Sequence, residues 1–185
     1  MKNKHIAAAL AWGVPLLLFL PPSELLMLVS AVLLHEGGHL FAFYLLREPP
    51  PSLAAALGGL TFTPSRPLPY RHEWAIALAG PFANLALALP LLTLGGAPCA
   101  ALGAVHLLTA LSNLLPLGRC DGARALSALL SLLLPLRAAE GVVAAVSLFS
   151  FVTLLFFLLF LLLHEGGGAV LLLLVGLLAR ANFPL

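Results

Sequence analysis

The chain reads as long apolar runs separated by short polar, proline-rich or glycine-rich breaks. The first run, about Ile6–Leu20, is short for a membrane span and carries Pro15, a site for a kink. Pro21-Pro22-Ser23-Glu24 is a turn that opens the second run, about Glu24–Leu46, and Arg47-Glu48 with Pro49-Pro50-Pro51 closes it. The stretch from Pro49 to about Arg71 is the longest non-helical one. Within it, Leu57-Gly58-Gly59-Leu60-Thr61-Phe62-Thr63 predicts a short extended or hairpin element, on its flanking prolines and the β-favouring Thr-Phe-Thr. A third run, about His72–Leu94, is interrupted by Ala79-Gly80-Pro81-Phe82-Ala83-Asn84. After the turn Gly95–Pro98 a fourth run, about Cys99–Leu117, ends in a proline- and glycine-broken stretch. A further helix follows to about Leu134, where Pro135 stops it. The fifth run is about Ala138–Leu163, His164–Gly168 is a connection, and the sixth run is about Ala169–Leu178. Several runs reach the roughly 20 residues that cross a bilayer. The pattern therefore predicts an all-α polytopic membrane protein of about six transmembrane helices, with a short re-entrant β-element between the second and third. Such an element dips into a membrane only where protein or water shields its backbone.

Composition sharpens this. The chain is 62% hydrophobic and 9% charged, against about 25% charged residues in soluble domains, so a water-soluble domain is excluded. Residues 1–185 read as one membrane domain. The N-terminal run lacks a small-residue cleavage site and reads as a retained span, not a removed signal peptide. The net charge of +2 carries no sign of nucleic-acid binding, but its distribution is informative. With a cytoplasmic N-terminus, all nine Lys and Arg residues (Lys2, Lys4, Arg47, Arg66, Arg71, Arg119, Arg124, Arg137 and Arg180) fall on the inside. Glu24, His164 and Glu165 fall outside. This is the positive-inside arrangement, and it predicts a multi-pass protein of the cell membrane with both termini cytoplasmic. Cys99 and Cys120 stand at opposite ends of one expected span, too far apart for a disulfide.

The chemistry concentrates in the second run, at His35-Glu36-Gly37-Gly38-His39. Two histidines four apart on a helix face the same way and can reach one metal ion, with zinc the usual occupant. Glu36 is placed to take a proton from metal-bound water. An ionisable residue at bilayer depth is itself a sign of function. A catalytic zinc needs a third protein ligand, for which Asp121, Cys120, His106, Glu73 and His164 are candidates. Asp121, the one aspartate in the chain, follows the broken helix end at a depth matching the histidines, with Gly122 beside it to let backbone approach. An N-cap for the following helix is its alternative role. His106 reads as an interhelical hydrogen-bonding group, and Arg124 as a charge at the cytoplasmic face. Asn113 has an amide able to stabilise an oxyanion. Asn84 reads either as interhelical glue or as a functional amide.

These motifs resemble those of the site-2 proteases, a family of intramembrane zinc metalloproteases. The resemblance lies in His35-Glu36-Gly37-Gly38-His39, in Asn113-Leu114-Leu115-Pro116 through Asp121-Gly122, in the separation of 82 positions from His39 to Asp121, and in Ala79–Asn84. It covers roughly residues 24–134. It implies one Zn2+ per chain held by His35, His39 and Asp121, Glu36 as general base, and Asn113 assisting the oxyanion. Gly58 and Gly59 would belong to a β-element that pairs with an unwound substrate strand, with Asn84 also near substrate. The implied partners are a transmembrane or membrane-associated protein substrate, the lipid bilayer and a regulatory membrane protein. Many members have a second proline before the Asp-Gly pair and a second glycine after it. Gly118-Arg119 and Ala123 stand here instead, which bears on loop shape and substrate preference. There is no room for a PDZ or CBS domain. The compact plan looks most like the bacterial branch that includes the sporulation sigma-factor processing protease. Two other readings compete with regulated intramembrane proteolysis near the cytoplasmic side. One is a metal-binding membrane protein without hydrolase activity, either a transporter or a degenerate protease relative. The other is a purely structural helical subunit.

Overall fold

The computed structural model describes residues 21–56, 59–118 and 120–165. Five helices and one hairpin follow in order: α1 Pro22–Leu45, β1 Ser52–Ala56, β2 Gly59–Thr63, α2 Tyr70–Leu94, α3 Ala97–Leu114, α4 Asp121–Ser131 and α5 Leu136–Glu165. Among the described residues, four helices are long and apolar enough to cross a membrane: α1, α2, α3 and the Leu136–Phe157 part of α5. The expected first and sixth spans lie outside the described residues.

The core has the composition expected of helices packed in lipid. Its buried apolar residues are mostly alanines, among them Ala31, Ala77, Ala88, Ala110 and Ala128. Leu26, Phe41, Leu45, Phe149 and Phe156 lie exposed on the outside. Small residues let helix backbones approach closely, while lipid tails solvate the large ones. This inside-out pattern, with the four apolar helices, marks a membrane protein. Helix α2 is the central element and packs against α1, α3 and α4, while α5 packs on α4.

Helix α2 corrects one expectation. It runs unbroken through Gly80 and Pro81, where the sequence predicts an interruption. A proline removes one helical hydrogen bond and presses on the residue four positions back. Here that residue is Ala77, fully buried and small, and packing on both sides holds the helix together. At the other end of the chain, α5 takes in His164 and Glu165, which were expected in a connection. No proline or glycine separates them from the run before.

Helix α1 ends in a Schellman motif. The N–H of Arg47 donates to the Tyr44 carbonyl at 3.1 Å and that of Glu48 to Phe43 at 3.0 Å. Arg47 takes the left-handed position, φ 55°, which glycine normally fills. Strands β1 and β2 then pair antiparallel from Ser52↔Thr63 to Ala56↔Gly59. Below them the Glu48 carboxylate is buried and accepts hydrogen bonds from Arg66 and His72. Arg66 first and His72 next hold this carboxyl below the ordinary glutamate value of 4.5, against the opposing effect of burial. A depressed carboxyl stabilises the fold above its unfolded pKa and loses that contribution as pH falls through the folded value. The Glu48 carboxyl carbon resonance, followed in detergent micelles, should therefore show its own titration step only below about 4.5. A Glu48 step above 4.5 would contradict this.

Candidate metal centre

Helical periodicity places His35 and His39 one turn apart on the inner face of α1. Their rings meet edge to face with centroids 4.8 Å apart, and their Nε2 atoms are 3.2 Å apart. Asp121 Oδ2 lies 2.9 Å from His35 Nε2 and 3.1 Å from His39 Nε2. All three residues are buried, and among the described residues they form the one group of three or more such donors able to hold a metal.

Three backbone features build this arrangement. The Nδ1–H of His39 donates to the Ile76 carbonyl of α2 at 2.7 Å, which fixes the ring and leaves Nε2 facing the centre. Gly80, one turn further along α2, makes room for that ring, because a Cβ there would collide with His39 Nε2 and Cε1. Gly122 does the same at the other end. A Cβ there would run into the Leu114 carbonyl, so only glycine lets the start of α4 sit on the end of α3. Between those helices the chain turns through Gly118 at φ 42° and is anchored by Leu117, 1% exposed. Asp121 is then the first residue of α4, with Cys120 at the N-cap position. The capping role weighed for Asp121 is thus not the one it takes. Its carboxylate turns to the histidines, still favoured by the positive helix end.

The donor chemistry fits a cation. With its proton committed to Ile76, a neutral His39 presents a lone pair at Nε2, where a carboxylate oxygen and the second imidazole also converge. Three such acceptors in a buried space repel one another unless a proton or a metal ion lies among them. Ligand atoms of a tetrahedral zinc stand about 3.3 Å apart, given bonds of roughly 2.0–2.1 Å, close to the separations here. Glu36, half-buried, lies within electrostatic reach of His35, His39 and Asp121.

The other predicted residues fall as follows. The Asn113 amide Nδ2 donates back to the Thr109 carbonyl of its own helix at 2.9 Å. Asn84 is fully buried and lies 2.9 Å from His106 Nδ1. His106 in turn reaches Ser30 of α1 at 3.4 Å. Among the described residues the Asn84 Nδ2 has no partner. Turning that amide over lets Nδ2 donate to His106 Nδ1, His106 Nε2–H to Ser30, and the Ser30 hydroxyl to the Met27 carbonyl at 2.7 Å. A single chain of donors then ties α1, α2 and α3 together. Gly59 opens β2, and Gly58 lies outside the described residues. Cys120 and Cys99 are free thiols, and neither belongs to the donor group.

Sequence reasoning misses two partners of the site. One is the Ile76 carbonyl, which no side-chain pattern can reveal. The other is Arg124, whose Nη1 lies 3.6 Å from Asp121 Oδ1. The three-residue spacing on one helix was the available signal for it.

No protein-family profile matches the sequence, and no curated protein matches it. A solved structure does: the site-2 protease from Methanocaldococcus jannaschii matches at 20% identity, over 96% of this chain and 85% of that one, with a TM-score of 0.64. Over nearly its whole length, this chain is similar in fold to a site-2 protease.

Proposed function

We propose that this protein is an intramembrane zinc endopeptidase of the site-2 protease type. It would cleave a transmembrane or membrane-associated protein near the cytoplasmic side of a six-span membrane domain. The observation that carries this reading is the convergence of His35, His39 and Asp121 beside Glu36, inside a bundle of apolar helices.

His35, His39 and Asp121 would hold the zinc. When bound, zinc supplies Lewis acidity that makes water a nucleophile at neutral pH and polarises a peptide carbonyl. Glu36 accepts the proton that water loses as its oxygen attacks the carbonyl carbon. It returns that proton to the amide nitrogen as the C–N bond breaks. Arg124 holds the second Asp121 oxygen, leaving Oδ2 to the centre. Asn113 gives its amide N–H to the developing oxyanion, exchanging its bond to Thr109. The β1–β2 hairpin, whose turn holds Gly58 and Gly59 in sequence, would be the re-entrant element and would offer a strand edge to substrate. A helical substrate must be opened before hydrolysis, and an opened segment can pair with that edge.

Purified gently in detergent, the protein should carry about one zinc per chain and cleave a reconstituted membrane-spanning substrate. 1,10-Phenanthroline should stop cleavage and added zinc restore it. Zinc flux into proteoliposomes without cleavage would replace this reading with transport. Absence of both zinc and cleavage would leave a structural subunit.

A further inference from the structure

We propose that Glu48 is a positioning residue. Gripped by Arg66 and His72, it clamps the root of the β1–β2 hairpin to the ends of α1 and α2 and so sets where the hairpin meets substrate. The proposal rests on the protease reading above for what the hairpin does, and on geometry alone for what holds it.

A two-stranded hairpin is marginal by itself. Its strands pair with each other, and its two stalks carry its connection to the helices. There Ser65 Oγ donates to the Pro50 carbonyl at 3.0 Å and Ser52 Oγ to Thr63 at 3.2 Å, which joins the two stalks to each other. Among the described residues, Leu68 of the second stalk packs on Ala42, Phe43 and Ile76, and the Glu48 cluster supplies the hydrogen bonds that join the stalks to the helices through side chains.

That cluster is built for the purpose. The Glu48 side chain is 3% exposed, and a buried carboxylate needs partners for its oxygens. Arg66, on the stalk after β2, sends Nε and Nη2 to Oε2 at 3.2 and 2.8 Å. His72, in the first turn of α2, lies with Nδ1 2.6 Å from Oε1. A neutral His72 protonated at Nδ1 still donates, so the clasp does not depend on imidazole charge. Glu48 itself is fixed by the Schellman motif that ends α1, the helix carrying His35, Glu36 and His39. One carboxylate thus links the metal-bearing helix, the central helix and the stalk of the hairpin.

The test uses the full chain in detergent with Glu48→Gln, Arg66→Ala and Arg66→Lys. Hydrogen exchange of the β1 and β2 amides should speed up at least about tenfold in Glu48→Gln and Arg66→Ala. Exchange through α1 and zinc per chain should stay at the parent level. Arg66→Lys, which keeps the charge and one donor, should recover part of the protection. With a membrane substrate, Glu48→Gln should raise KM about tenfold and leave kcat within about twofold, the signature of lost substrate positioning. Unchanged hairpin exchange in both Glu48→Gln and Arg66→Ala overturns the clasp, as does a fall in kcat at constant KM. Arg66 is largely exposed, so its variants keep the test open if Glu48→Gln folds poorly. A parent that cleaves nothing defeats the protease reading, while the exchange measurements still decide the clasp.

Discussion

Glu36→Gln should lower cleavage by about 10²–10⁴-fold while zinc per chain stays at the parent level. Glutamine matches glutamate in size, so a half-buried side chain on the surface of α1 is replaced without new packing strain. It does not accept a proton at neutral pH. Glu36 is also outside the donor group formed by His35, His39 and Asp121, so metal retention and catalysis separate in this variant. Single-turnover cleavage of a reconstituted substrate, with zinc measured on the same sample, reads both. Undiminished cleavage would remove Glu36 from the mechanism. Loss of zinc would instead make Glu36 part of the metal site.

Asp121→Ala should empty the site, from about one zinc per chain to a small fraction of that, and cleavage should fall with it. Removing this carboxylate takes away one of three donors and the one negative charge in direct contact with both imidazoles. Two imidazoles 3.2 Å apart then remain, with Arg124 freed from its ion pair nearby. Asp121→Asn is the companion variant, because it keeps the shape of the loop and removes the charge. Elemental analysis of protein purified without chelator measures the outcome for both. Zinc retained undiminished in both variants would move the third ligand elsewhere, with the neighbouring Cys120 thiol the first to test.

The two predictions draw on different kinds of information. His35, Glu36 and His39 are related by helical period alone. Any helix through that segment turns the two imidazoles to one side and puts Glu36 beside them. The same local logic made the helix stops legible, at the prolines after Glu48 and at Pro135. It read a short extended element over Leu57–Thr63, of which Gly59–Thr63 is a strand, but not its partner strand Ser52–Ala56. Composition and run length pointed to the membrane, because no soluble core accommodates so many leucines and so few charges. The interruption expected at Gly80-Pro81 shows the boundary of such reasoning. Local propensity argued for a break, and burial of α2 among three other helices overrode it.

By itself, then, the sequence determined what lies within a few residues along the chain: the four apolar helices among the described residues and the paired histidines with their glutamate. Only the tertiary structure brought Asp121 to the two histidines, because it reaches His35 across 86 positions through a loop whose path depends on Gly118, Leu117 and the contact allowed by Gly122. It also turned Asn113 onto its own helix, gave Asn84 to His106, and supplied the Ile76 carbonyl, the space at Gly80 and the Glu48 clasp. Each of these depends on how separate helices are placed against one another, and hydrophobic periodicity records which face of a helix is buried but not which residue of another helix it meets.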